Sequence, residues 1–363
     1  MKITFLNLTP HLKSNSNKWL SDYISEFAEV TTCCVDTDIS IIYDVLVSEP
    51  DLVICFQCDL LAPWFLSKGI PAISIPMADA CENMPDDYFS LSGMLGSISF
   101  TQLIREKFYN ANNETFNLKY FPQVEEQIDF DKKDIDVFYG FRGKNWSNVF
   151  KLFKSLKNSG LRLHTHNATD NHNEKNFIDF DSLYFSDVFD LYKIYNRSKF
   201  YLCPRDTEGI GLSTLNAMRF GLVPIAINGA GNEDYIKDGL NGILIDQSDI
   251  NKSSEEQLGK ILSRRIKNFN HSRAVEYNLN YLNEGKKDFD VKIKSLEAYL
   301  KNRVNYYQAS KKSFINQYRL KFFSILIDFN FINPINPLSI TKGILLIFFK
   351  YTKAPQKLMP FRW

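Results

Sequence analysis

Short apolar runs recur along the chain, each broken by a glycine, a proline or a polar turn and followed by a stretch of helical periodicity. Ile3–Leu6, Val30–Val35, Leu52–Phe56, Ala72–Ile75 and Ser97–Phe100 read as strands, with helices between them such as Asn17–Ala28 and Thr101–Tyr109. The alternation resumes at Ile135–Tyr139 and continues through Leu161–His166, Phe200–Cys203, Leu222–Ile227 and Ile243–Ile245. Residues 123–134 between the two sets are polar and acidic and read as a linker. Strands alternating with helices predict parallel sheets. The fold class is therefore α/β, with one Rossmann-like unit over residues 1–122, a second over 135–285, and a helical crossover and tail over 286–363.

The densest chemistry lies between Pro204 and Asp246. Pro204 stops the strand Phe200–Cys203, and Gly211–Phe220 reads as a helix. The first amides of that helix lack internal partners and carry partial positive charge, which suits an anion such as a diphosphate. Gly209 and Gly211, flanking Ile210 and followed by Leu212, let a ligand approach the main chain. Glu208 would repel phosphate and is better suited to bonding hydroxyls beside it; Asn216, two turns into the helix, can donate and accept. A Gly-x-Gly before a helix is often only a tight turn. Here a second strand, Leu222–Ile227, leads to another glycine turn, Gly229-Ala230-Gly231, and a short helix over Asn232–Lys237. Two glycine turns at one edge of a parallel sheet form a crevice, where such sheets bind ligands.

This stretch resembles the C-terminal half of the retaining GT-B glycosyltransferases of family 4, which read P-S-x-x-E-G-F-G-L-x-x-L-E-A-M-A-x-G-x-P and then G-G-x-P-E-I-V-x-D-G-x-x-G-x-L. The chain supplies Pro204, Glu208, Gly209, Gly211, Leu212, Leu215, Ala217, Met218, Gly221 and Pro224, then Gly231, Asp234, Asp238, Gly239, Gly242 and Leu244. The resemblance implies two lobes facing each other across a cleft, with a nucleotide-diphosphate sugar on the second lobe and the acceptor on the first. It gives Glu208 the donor sugar and puts Asn216 where the family has a ribose-binding glutamate. Asp234 stands where the family usually has Glu, near the sugar or phosphate. A basic pair after the lobe's first strand corresponds to Arg142 and Lys144, Arg142 gripping phosphate with its two-pronged fork. The loop holding Asp79 and Glu82 would face the cleft and offer an acceptor contact or base, or Asp79 could simply cap a helix.

Composition narrows the classes. The 363 residues carry a net charge of +1, which argues against nucleic-acid partners. No G-x-G-x-x-G follows the first strand, which speaks against a nicotinamide-dependent oxidoreductase. The six cysteines are scattered, and Cys55-x-x-Cys58 reads as buried thiols in a reducing cytosol rather than a redox or zinc motif. His11 could touch substrate or sit on the surface; His164 and His166 lack the carboxylate or cysteine that would complete a metal set. Asp-x-Asp triplets, among them those at 36–38, 134–136, 179–181 and 288–290, lack the surroundings of a metal-diphosphate site, so neither a metal nor a cofactor beyond the donor substrate is expected. The chain starts directly with a strand rather than a signal peptide, and no apolar run is long enough to span a bilayer. From Lys311 onward nine Lys or Arg face one acid, Asp328, among crowded apolar residues. That mixture suits peripheral binding of residues 311–363 to an anionic membrane, or a helix packing back on the first domain. The expected protein is a cytoplasmic glycosyltransferase at the inner face of the plasma membrane, acting on a glycan or lipid-linked glycan. The alternatives are an inactive binding protein of the same frame and a nucleotide-sugar epimerase.

Overall fold

The computed structural model describes residues 1–36, 40–124, 133–141, 147–167, 181–182, 188–229 and 231–316. The first lobe contains strands β1 Lys2–Asn7, β2 Glu29–Cys34, β3 Leu52–Phe56, β4 Ala72–Ile75, β5 Ser97–Ser99 and β6 Thr115–Asn117. They form one parallel sheet in the order β2-β1-β3-β4-β5-β6. Its helices are α1 Thr9–Ser14, α2 Lys18–Ser25, α3 Ile41–Ser48, α4 Leu61–Ser67, α5 Ala78–Cys81, α6 Asp86–Ser92 and α7 Gln102–Asn110. All five residues of β3 and all four of β4 are buried, because a parallel sheet is covered on both faces.

The second lobe is built on β7 Ile135–Phe141, β8 Leu163–Asn167, β9 Ser198–Leu202, β10 Val223–Ile227 and β11 Ile243–Ile245, parallel in the order β11-β10-β9-β7-β8. Its helices are α8 Ser147–Lys157, α9 Val188–Arg197, α10 Leu212–Arg219, α11 Gln247–Lys252 and α12 Glu255–Asn268. Ser254 and Gln257 close α12 with a reciprocal capping box.

Two long helices, α13 His271–Ile293 and α14 Leu296–Asn316, then return the chain to the first lobe. Tyr299 bonds both backbone groups of Ser97, at 3.0 and 2.9 Å, and Tyr307 donates to the Leu66 carbonyl at 3.1 Å. The expected crossover is thus a helix pair, and residue 285 lies inside α13. Phe121 wedges between the lobes, edge-on to Tyr235 and Tyr281 at 5.9 and 5.4 Å. Gly285 admits this ring, since a Cβ there would stand 2.3 Å from it.

Two expectations change. β6 adds a sixth strand to the first sheet, and Asn232–Lys237 forms turns rather than a helix. Asn241 explains the latter: its side chain accepts from Lys237 N at 2.6 Å and donates to Tyr235 O at 3.0 Å, taking backbone groups that a helix would pair internally. The tail beyond residue 316 lies outside the described residues, and among those described no helix is long and apolar enough to cross a membrane.

Candidate functional site

In the second sheet the chain moves from β7 to β8 on one side and then crosses to β9 on the other. The strand order therefore puts a switch point at the carboxyl ends of β7 and β9, the place where such sheets bind ligands. Arg142 and Lys144 belong to the loop after β7 and lie outside the described residues. The loop after β9 carries Arg205, Asp206, Thr207, Glu208, Gly209 and Ile210 into α10. Gly211 takes the left-handed conformation, φ 71°, that turns this loop into the helix. Glu208 is 7% exposed, while Leu212 and Asn216 are half-buried on α10.

The second glycine turn lies against the first. A Cβ on Gly231 would stand 2.3 Å from the Glu208 carbonyl oxygen and 3.3 Å from Thr101 Cγ2. Asn232 braces the same corner, donating to Ile227 O at 3.1 Å and Asp206 O at 3.4 Å. Asp206 points away, toward α8, accepting from Asn148 Nδ2 at 2.8 Å and Val149 N at 3.3 Å.

The first lobe covers these loops. The Asp234 carboxylate accepts from Gln102 N at 2.9 Å, at the start of α7, and its carbonyl accepts from Lys119 Nζ and Tyr281 O–H. Asp79 pairs with Arg205, and Glu82 accepts from Thr207 Oγ1 at 2.8 Å. Asp79 makes no side-chain cap on α5 and instead makes this contact between lobes. Gly209, expected to lie open to a ligand, is approached by Met77, whose Cε stands 2.4 Å from the place of a Cβ. Burial raises the carboxyl groups of Glu82, Asp206 and Asp234 above their ordinary range. The neighbouring charges of Asp206 and Asp79 add to the effect at Glu82.

The other sequence-marked residues fall elsewhere. His11 sits where the loops after β1 and β3 diverge in the first sheet, bonded to Ser16 Oγ at 2.8 Å and to Gln57. His164 and His166 share the Ser182 hydroxyl at 2.9 and 3.0 Å and stack on Phe138; burial lowers His166 to about 4. Asp134 pairs with Arg197, Asp136 with Arg162, and Asp290 with Lys286. Among the described residues no three His, Cys, Asp or Glu form a group that could hold a metal. A groove of about 590 Å³ between α8 and α12 includes none of the cleft residues. Arg205, Thr207 and Gln102 were not singled out from sequence, although the first two lie within the marked loop.

Two parallel Rossmann-like lobes, joined by returning helices and meeting at glycine turns, define a GT-B protein. Residues 125–278 match the family described as glycosyl transferases group 1. The structure is similar to Anabaena HepE in complex with UDP and glucose (TM-score 0.56, 15% identity, 83% of this chain and 100% of that one). It is also similar to sucrose-phosphate synthase from Thermosynechococcus elongatus (TM-score 0.64, 10% identity, 83% and 99%). In sequence, 86 residues are 35% identical to the glycogen synthase of Pseudomonas syringae pv. tomato, covering 24% of this chain and 17% of that enzyme. The chain thus matches about a sixth of the length of that curated relative.

Proposed function

We propose that the chain is a glycosyltransferase that moves a sugar from a nucleotide-diphosphate sugar to a glycan or lipid-linked glycan in cell-envelope polysaccharide synthesis. The observation that carries this reading is the position of the Glu208–Leu212 turn: it opens a group 1 transferase helix at the switch point of one lobe and faces the other lobe. Glu208 would orient the donor sugar, Asn216 the ribose, and Gly231 and Asp234 would close the sugar-phosphate side. Arg142, Lys144 and the amides of Gly209, Ile210, Gly211 and Leu212 would hold the diphosphate, stabilising the charge that develops as it leaves. Closure of the lobes keeps water from the activated sugar. The resemblance supports retention of anomeric configuration. The solved relative containing UDP and glucose makes UDP-sugars the first donors to test.

The basic and apolar tail supports attachment to an anionic membrane at the inner face of the plasma membrane, where lipid-linked acceptors are reached. A thermal-shift screen of nucleoside diphosphates and their sugars tests donor binding, because a ligand held by the native state raises apparent stability. Transfer to a glycan acceptor that disappears in Glu208→Ala is the expected outcome. Nucleotide binding without turnover on any donor–acceptor pair would favour a binding protein, a reading supported by Asn216 in the ribose position. Conversion of the donor sugar alone would favour an epimerase.

A further inference from the structure

Arg205 and Asp79 belong to different lobes and meet across the cleft. Arg205 leaves the end of β9, and its Nη1 donates to Asp79 Oδ2. The side chains are 29% and 13% exposed, so the pair is largely shielded from solvent. The other carboxylate oxygen, Oδ1, is buried and accepts no hydrogen bond from the described residues. It stands 3.1 Å from where a Cβ on Gly209 would be, over the turn that follows Glu208. One oxygen is anchored and the second is held bare above the proposed donor loop. A buried acceptor left unbonded is destabilising, and the cost is relieved when a donor group reaches it. Glu82, three residues after Asp79, ties Thr207 of the same loop at 2.8 Å and fixes the approach a second time. In the family pattern quoted above, serine follows the proline; that side chain is too short for this span, which arginine covers.

We propose that Arg205 is a positioning residue that crosses the cleft to fix Asp79, so that Asp79 Oδ1 accepts a hydroxyl of the sugar held over the Glu208–Gly211 turn. This rests on the donor-site reading above. Arg205 acts through Asp79 and touches no reacting atom. Because the two residues come from different lobes, the hydroxyl acceptor is assembled only when the lobes are together. Recognition of the sugar, as distinct from the nucleotide, is thereby tied to closure. Met77 also covers Gly209, and its unbranched thioether chain can repack as the sugar enters.

The test titrates wild type, Asp79→Asn, Arg205→Met, Arg205→Lys and the double variant Asp79→Asn/Arg205→Met with UDP and with UDP-glucose. Amide exchange over residues 76–82 and 204–211 is followed without ligand. UDP should bind all five proteins alike. UDP-glucose should bind about tenfold more weakly to each of Asp79→Asn and Arg205→Met, the scale of one hydrogen bond to a charged group. The double variant should lose no more than either single, and Arg205→Lys should keep most of the affinity. Exchange in both segments should rise in Arg205→Met. Equal losses for UDP and UDP-glucose, additive losses in the double variant, or unchanged exchange would each overturn the positioning role. A wild type that binds neither probe removes the donor-site reading, and this inference with it. Wild-type binding retained in every variant removes both the Arg205 and the Asp79 roles and leaves the donor-site reading standing.

Discussion

Gly231→Ala tests the contact that joins the two glycine turns. The added Cβ would lie 2.3 Å from the Glu208 carbonyl oxygen, and the backbone there has φ +95°. That conformation costs an alanine about 1–2 kcal/mol. The clash is with main chain rather than a movable side-chain tip, and forcing it apart adds about 1–3 kcal/mol. Gly229→Ala is the matched control: its φ is +120° but none of the described residues lies within 4 Å of the new Cβ. It should carry the backbone cost alone. Urea unfolding followed by far-ultraviolet circular dichroism should therefore place Gly231→Ala about 1–3 kcal/mol below Gly229→Ala. Because the displaced atom belongs to Glu208, Gly231→Ala should also weaken nucleotide-sugar binding more than Gly229→Ala does. Equal stability and equal binding in the two variants would refute the argument that the turns are in contact.

Three further outcomes are expected. Asp59 is fully enclosed and accepts from Tyr88 O–H at 2.5 Å, and burial raises its carboxyl from 3.8 to about 7. Between those values the unfolded chain is ionised while the folded one holds its proton, so stability falls as pH rises through that window. The loss totals about 4 kcal/mol by linkage, and urea midpoints at several pH values should show it flattened in Asp59→Asn. Gly285→Ala drives a methyl into the Phe121 ring and should destabilise by about 1–2 kcal/mol despite alanine's better helix propensity; made in a Phe121→Val background, the same substitution should cost little. A protein ending at Asn316 keeps Phe314 packed on Tyr307 at 5.4 Å and should fold as before, yet lose sedimentation with anionic liposomes. Undiminished sedimentation would place the membrane contact elsewhere.

Strands β3, β4 and β11 match their expected bounds because each is a short, largely apolar run between turn residues, the pattern of a strand covered on both faces. β6 was missed for the opposite reason: Thr115-Phe116-Asn117 is three residues long, half-buried and offers a single apolar side chain. The turn after Gly231 was read as a helix because its composition permits one. The groups that prevent it belong to Asn241, beyond the end of the expected helix.

The loop entering α10 was legible because local rules act there: proline ends a strand, glycine supplies a left-handed residue, and open amides begin a helix. Its partners were not. Asp79 and Arg205 are separated by 126 residues, Gln102 and Asp234 by 132, and nothing in either segment names the other.

By itself the sequence determined two parallel α/β units and the glycine-rich edge of the second, since period, turn chemistry and burial are set by neighbours along the chain. The family resemblance had the loop of Asp79 and Glu82 facing the cleft; only the tertiary structure decided that Met77, Asp79 and Glu82 would meet Gly209, Arg205 and Thr207 and that Asp234 would accept from the first amide of α7. Those contacts depend on how α13 and α14 bring the lobes together. That packing follows from side chains far apart in sequence burying one another, a relation no local pattern encodes.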